Sequence, residues 1–115
     1  MNTKNKGNIA ETKACEFLEK KGFNILERNF YFKGGEIDII AYKNNTLHFI
    51  EVKSGFKFEP IYNITPAKIK RIIKGAHIYM RQKGFASSPF CIDAIIIKGN
   101  SVKNSVEFFE NLTLI

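Results

Sequence analysis

Asp38, Glu51 and Lys53 form a pattern that suits metal-assisted chemistry on an anionic substrate. They lie in two runs rich in β-branched and aromatic residues, Glu36-Ile37-Asp38-Ile39-Ile40-Ala41-Tyr42 and Leu47-His48-Phe49-Ile50-Glu51-Val52-Lys53. Between the runs stands Asn44-Asn45, and Asn tolerates the positive φ that a two-residue hairpin turn demands. With those two residues as the loop, Lys43 pairs with Thr46, Ile40 with Phe49, and Asp38 lies opposite Glu51. One step further on the same face Glu36 lies opposite Lys53, because side chains alternate with period two. Carboxylates opposed across two strands repel each other. A divalent cation with oxygen ligands removes that repulsion, so the hairpin reads as a metal site with a lysine beside it. The ordinary alternative is the wet face of a half-covered sheet, with Glu36 and Lys53 as a weak surface ion pair. The apolar neighbours Ile37, Ile39, Ile50 and Val52 weigh against it.

Two helices must flank this hairpin. Residues 5–21 carry Ala10, Ala14, Phe17 and Leu18 at helical spacing and stop at Gly22. In that helix Glu11 projects within roughly 20° of Leu18, on the border of the apolar face. It is either an acid of the first turn, favoured by the helix dipole, or a third oxygen donor aimed at Asp38 and Glu51. The second helix opens on Thr65-Pro66, a capping hydroxyl followed by proline at the first helical position. Its stripe is Ile69, Ile72, Ile73, Ala76 and Met80, and Gly84 ends it. Strands are expected over 23–32, over 90–98 and within 101–109, with a loop over 54–64. The order α-β-β-β-α-β-β implies a mixed sheet with one helix for each face, the strand after the second helix running parallel to the third strand or a neighbour. The fold class is α/β, with the placement of the last strand open.

The second helix also carries Lys68, Lys70, Arg71 and Lys74, then Arg81 and Lys83, with no acid between Glu59 and Asp93. A solubilising face is the default, but such density suits a surface that follows a phosphate backbone. Lys33 and Lys57 add charge, while Phe56, Phe58 and Tyr62 offer either base stacking or loop anchoring. His48 points to the face opposite Glu51; it and His77 have no evident partner and read as structural. Asp93, central in an apolar strand, requires a partner that the sequence does not name.

The 115 residues make one domain, 1–115, with 44% hydrophobic residues, which excludes disorder. No apolar run is long enough to span a bilayer, and Met1 to Lys6 lacks a signal-peptide core, so a cytoplasmic protein is expected. Cys15 and Cys91 lack metal-type spacing and read as buried thiols. Lys and Arg outnumber Asp and Glu by 18 to 11, a formal +7, which favours a polyanionic partner.

The blocks Gly35-Glu36-Ile37-Asp38-Ile39-Ile40-Ala41 and Phe49-Ile50-Glu51-Val52-Lys53 resemble the signature of the YraN-like family, placed in the PD-(D/E)XK nuclease superfamily beside junction resolvases and restriction endonucleases. Gly7, Glu11, Ala14, Arg28-Asn29, Lys68 and Asp93 match further family positions. Ala10 stands where a second glycine is common, and Cys91 where an arginine often precedes the aspartate. The resemblance implies a restriction-endonuclease-like αβββαβ core with a short extra C-terminal strand, and catalytic roles for Glu11, Asp38, Glu51 and Lys53. It further implies one or two Mg²⁺ or Mn²⁺ ions held by Asp38, Glu51 and the Val52 carbonyl, with Glu36 in an outer shell around Lys53. The expected partner is DNA, branched and single-stranded forms included, bound through Lys33, Lys57, Lys68, Lys70, Arg71 and Lys74, and a homodimer is compatible with the family. The rival readings are a non-catalytic nucleic-acid-binding module on the same fold and, with least support, a protein–protein adaptor.

Overall fold

The computed structural model describes residues 3–55, 64–99 and 102–112, with side chains in the first helix from residue 8 onward. The elements are α1 (Thr3–Lys20), β1 (Asn24–Phe32), β2 (Gly35–Lys43), β3 (Thr46–Gly55), α2 (Pro66–Lys83), β4 (Phe90–Gly99) and β5 (Asn104–Phe109). They form a five-stranded mixed sheet in the order β1-β2-β3-β4-β5. All neighbours are antiparallel except β3 and β4, which run parallel across the α2 crossover. This is a mixed α/β fold with a restriction-endonuclease-like αβββαβ core, to which β5 adds an edge strand. No helix among the described residues is long and apolar enough to cross a membrane.

The sheet separates two apolar layers. On the α1 side Ala10, Ala14 and Leu18 pack on Ile39, Ala41, Ile50, Ile95 and Ile97. On the α2 side Ile72, Ala76, Tyr79 and Met80 pack on Ile37, Ile40, Leu47, Phe49 and Ile92. Strands covered on both faces read as continuous apolar runs, and β4 is such a run. The stripe of α2 differs from the periodic reading. Gly75 and Tyr79 are buried, whereas Ile69 and Ile73 are only half-buried. Gly75 is needed because the Phe32 ring lies across the helix there: a Cβ at this position would sit 2.4 Å from that ring.

Local backbone chemistry sets the hairpin. Asn44 and Asn45 have φ of 51° and 62°, the positive values of a two-residue turn, and Lys43 pairs with Thr46 and Ile40 with Phe49. Strict alternation fails one turn of the pleat later. Ile37 and Ile39, two residues apart, belong to opposite layers, and so do the β1 residues across from them, Phe30 and Arg28. Between those pairs stand Asp38 and Asn29, the latter at φ 56°. Both strands therefore rotate at this point, and the β2–β3 ladder stops at Ile39–Ile50.

Candidate functional site

Where the ladder stops, a cleft of about 310 Å³ opens, lined by Glu36, Asp38, Glu51, Lys53, Lys68, Arg71 and Ile72. The first four were singled out by the spacing of the hairpin, and the fold brings them together. The detail differs from a regular ladder. Asp38 Oδ2 accepts a hydrogen bond from the Val52 N–H at 2.8 Å, so a side chain substitutes for the missing strand pairing. An extended residue directs its N–H and C=O to the same side, so the Val52 carbonyl opens toward the same gap. Lys53 Nζ lies 3.4 Å from Glu51 Oε1. Its ion-pair partner is thus Glu51, on its own strand face, rather than Glu36.

Glu36 joins a different group. Oxygens of Glu11, Glu36 and Asp38 lie within 4.8 Å of one another. Glu11 is not an acid of the first helical turn; it sits mid-helix and is 8% exposed. Arg28 donates to Thr12 Oγ1 at 3.3 Å and to the Asn8 carbonyl at 3.5 Å, tying β1 to α1, and its guanidinium stands 3.6 Å from Glu11 Oε1. That oxygen is buried and has no hydrogen-bond partner.

The electrostatics of the cleft are set by burial and by the crowding of its acids. Burial first, and then the charge of Glu51, push Asp38 up to about 8, against the opposing pull of the Val52 amide. Burial raises Glu11 as well, opposed by a hydrogen bond from Asn29 and by Arg28. Burial lowers Lys53, but the carboxylate of Glu51 beside it outweighs burial and leaves the ammonium favoured. Lys68 moves the other way, depressed by burial and by Lys53. The Thr65 hydroxyl caps α2 by accepting from the Lys68 N–H, which fixes the first turn of that helix at the rim of the cleft. An all-oxygen donor set, raised carboxyl pKa values and an orphaned Glu11 oxygen fit a hard divalent cation. Asp38, Glu11, Glu36, Glu51 and the Val52 carbonyl are the groups that could hold it.

The basic residues divide. Lys68 is half-buried at the cleft, while Lys70, Arg71 and Lys74 are exposed along the adjoining face of α2. Lys33 is exposed in the turn between β1 and β2, where Gly34 lies against Lys74. Lys57, Phe56, Phe58 and Tyr62 lie outside the described residues.

On the other face, Asp93 finds the partners that the sequence could not name. Its Oδ2 lies 2.6 Å from His48 Nδ1, and its Oδ1 accepts from the Asn111 N–H at 2.9 Å and from the Cys91 thiol at 3.3 Å. His48 is therefore not partnerless. The β3–β4 register sets it opposite Cys91, and no periodicity within either strand reveals that offset. His77 contributes an edge contact to Phe90. Cys15 and Cys91 are both buried free thiols.

Comparison with known proteins agrees on one family. The UPF0102 protein of Wolinella succinogenes is 55% identical over 109 residues, covering 95% of this chain and 96% of its own. That of Helicobacter hepaticus is 53% identical over 114 residues, 99% of each chain, and that of Helicobacter pylori strain HPAG1 is 55% identical over 108 residues, 94% of this chain and 90% of its own. A model of the uncharacterised protein family UPF0102 matches residues 10–97, from Ala10 in α1 to Ile97 in β4, the stretch that carries the cleft. With these matches and the YraN-like blocks of β2 and β3, the chain belongs to the UPF0102 family.

Proposed function

We propose that this protein is a divalent-metal-dependent nuclease that hydrolyses DNA phosphodiester bonds. The observation that carries the reading is the break in the sheet at Asp38, where Asp38, Glu36 and Glu51 share one cleft with Lys53, Lys68 and Arg71. When bound, Mg²⁺ or Mn²⁺, one or two ions, supplies Lewis acidity and charge neutralisation at the scissile phosphate. Asp38 and Glu51, with the Val52 carbonyl and Glu11, hold the ions. Lys53, kept charged and anchored on Glu51, orients an attacking water and neutralises charge that develops on the phosphate oxygens. The water oxygen forms the new bond to phosphorus and passes a proton to solvent as the bond to the departing sugar oxygen breaks, and that oxygen takes a proton from a solvent water. Lys68 and Arg71 bind flanking phosphates, and Lys33, Lys70 and Lys74 extend that contact along the duplex. Glu36, beside Asp38 and Glu11, adds a further oxygen donor to the site. A cytoplasmic homodimer presenting two such clefts to a branched duplex belongs to the same proposal; light scattering on the full chain reads the oligomeric state.

The deciding experiment incubates single-stranded, duplex, flap and four-way DNA with the protein and Mg²⁺ or Mn²⁺, beside Asp38→Asn. Metal-dependent cleavage that Asp38→Asn abolishes supports the proposal. Cleavage that survives Asp38→Asn removes the assigned site. Salt-dependent binding with no cleavage transfers support to a non-catalytic DNA-binding module on the same fold.

A further inference from the structure

On the α1 face of the sheet, opposite the face that carries Glu51 and Lys53, three side chains of different donor type converge on one point. His48 Nδ1, Cys91 Sγ and the Asp93 carboxylate lie within 4.8 Å of one another, and all three residues are buried. The contacts are 2.6 Å from His48 Nδ1 to Asp93 Oδ2, 3.1 Å from Cys91 Sγ to His48 Nδ1, and 3.3 Å from Cys91 Sγ to Asp93 Oδ1. The sheet builds this group. His48 and Cys91 are register partners across the parallel β3–β4 pair, and Asp93 follows Cys91 by two residues, on the same face.

We propose that His48, Cys91 and Asp93 form a second metal site, specific for Zn²⁺ or a similarly soft divalent ion. Satisfying the buried Asp93 carboxylate requires donors, and His48 with the Asn111 N–H already supplies two. Cys91 is not needed for that, yet its sulfur meets the same point. One imidazole, one thiolate and one carboxylate are the three ligand types that Zn²⁺ takes. Thiolate and imidazole discriminate against Mg²⁺, the ion that suits the all-oxygen cleft. Tetrahedral Zn²⁺ with bonds of about 2.0–2.3 Å spaces its ligand atoms roughly 3.3–3.7 Å apart, so the triangle need open by well under about 1 Å.

Binding exchanges protons for metal. The S–H of Cys91 becomes a sulfur–metal bond and releases its proton to solvent, and His48 ligates through an Nδ1 freed of hydrogen. Asp93 ligates through Oδ2 while Oδ1 keeps the Asn111 amide. The Phe23 ring, edge-on to His48 at 4.8 Å between centroids, dries one side of the group. His48 and Cys91 are 7% and 8% exposed, and the fourth tetrahedral position falls to water. The ion clamps β3 to β4 and, through Asn111, to the segment after β5.

Co²⁺ titration of the metal-free full chain tests this. A thiolate-to-cobalt charge-transfer band should grow to saturation at one equivalent. Zn²⁺ should displace it, and a 100-fold excess of Mg²⁺ should not. Cys15→Ser and Asp38→Asn should leave the band unchanged, Cys91→Ser should abolish it, and His48→Gln should weaken Co²⁺ binding by at least about tenfold. The chain has two cysteines, so if Cys91→Ser fails to fold, the band of Cys15→Ser assigns the sulfur to Cys91. No band at stoichiometric Co²⁺, loss of the band in Cys15→Ser, or displacement by Mg²⁺ overturns the site. Asp38→Asn belongs to the other cleft, so failure of the nuclease proposal leaves this result standing.

Discussion

Asp38 is a carboxyl held among other carboxyls, and its position has a consequence for stability. Its pKa rises from an ordinary 3.8 to about 8, so the folded chain keeps a proton that the unfolded chain has lost. The contribution to stability is therefore complete below the unfolded value and is lost as pH rises toward about 8. Metal-free protein should show a falling Tm over that window. Asp38→Asn, which keeps an acceptor for the Val52 amide, should flatten the fall and raise the neutral Tm by a few degrees, or about 1 kcal/mol. Mg²⁺ should reverse the order, stabilising wild type more at high pH, because cation and proton compete for the same oxygens. Thermal melts with and without Mg²⁺ check both signs. Lys53→Ala should separate the functions differently: ion binding by calorimetry persists, while cleavage falls by about 10²-fold or more, because the lysine acts on the transition state.

At the scale of elements, the site depends on a defect in a regular pattern. Asn29 stands at positive φ where β1 rotates, and its side chain opposes the rise of the Glu11 pKa, so one residue serves both the strand rotation and an acid on α1. Asn29→Gly keeps the backbone and loses the side chain, whereas Asn29→Ala loses both. The alanine variant should be less stable than the glycine variant by about 1 kcal/mol. Equal melting temperatures would mean that the backbone conformation carries no cost. Gly75→Ala should cost about 1–3 kcal/mol by forcing a methyl into the Phe32 ring, and a smaller side chain at Phe32 should recover part of it. These features also mark what the sequence makes legible. The Asn44-Asn45 turn, the Thr65-Pro66 cap and the apolar runs of β3 and β4 are written in local chemistry, and the hairpin register follows from them. The exchange of salt-bridge partners around Lys53, the burial of Gly75 and the His48–Asp93 contact are not local. Each depends on where another element lands: the rotation at Asp38, Phe32 crossing α2, and the β3–β4 offset.

For the molecule as a whole, the formal charge of +7 is unevenly used, with exposed Lys70, Arg71 and Lys74 concentrated on α2 beside the cleft. Replacing those three by Ala should lower the slope of log affinity for DNA against log salt by about 2–3, since each phosphate contact releases roughly 0.9 counterion. An unchanged slope would assign them to solubility alone. The central strand pair has a different consequence, for the order in which the chain assembles. Partners across β3 and β4 are 43 residues apart in sequence, whereas β2 and β3 meet through a two-residue turn. The hairpin therefore closes on a microsecond scale, and the slow step is closure of the long loop. All four acids and Lys53 lie before residue 56, so during synthesis on the ribosome they emerge before β4 does. Until β4 arrives, β3 is an uncovered apolar edge, the kind of edge that pairs with other chains. Trimming Ile95 in β4 should therefore slow refolding more than trimming Ile40 in the hairpin, and nascent chains stopped short of β4 should aggregate.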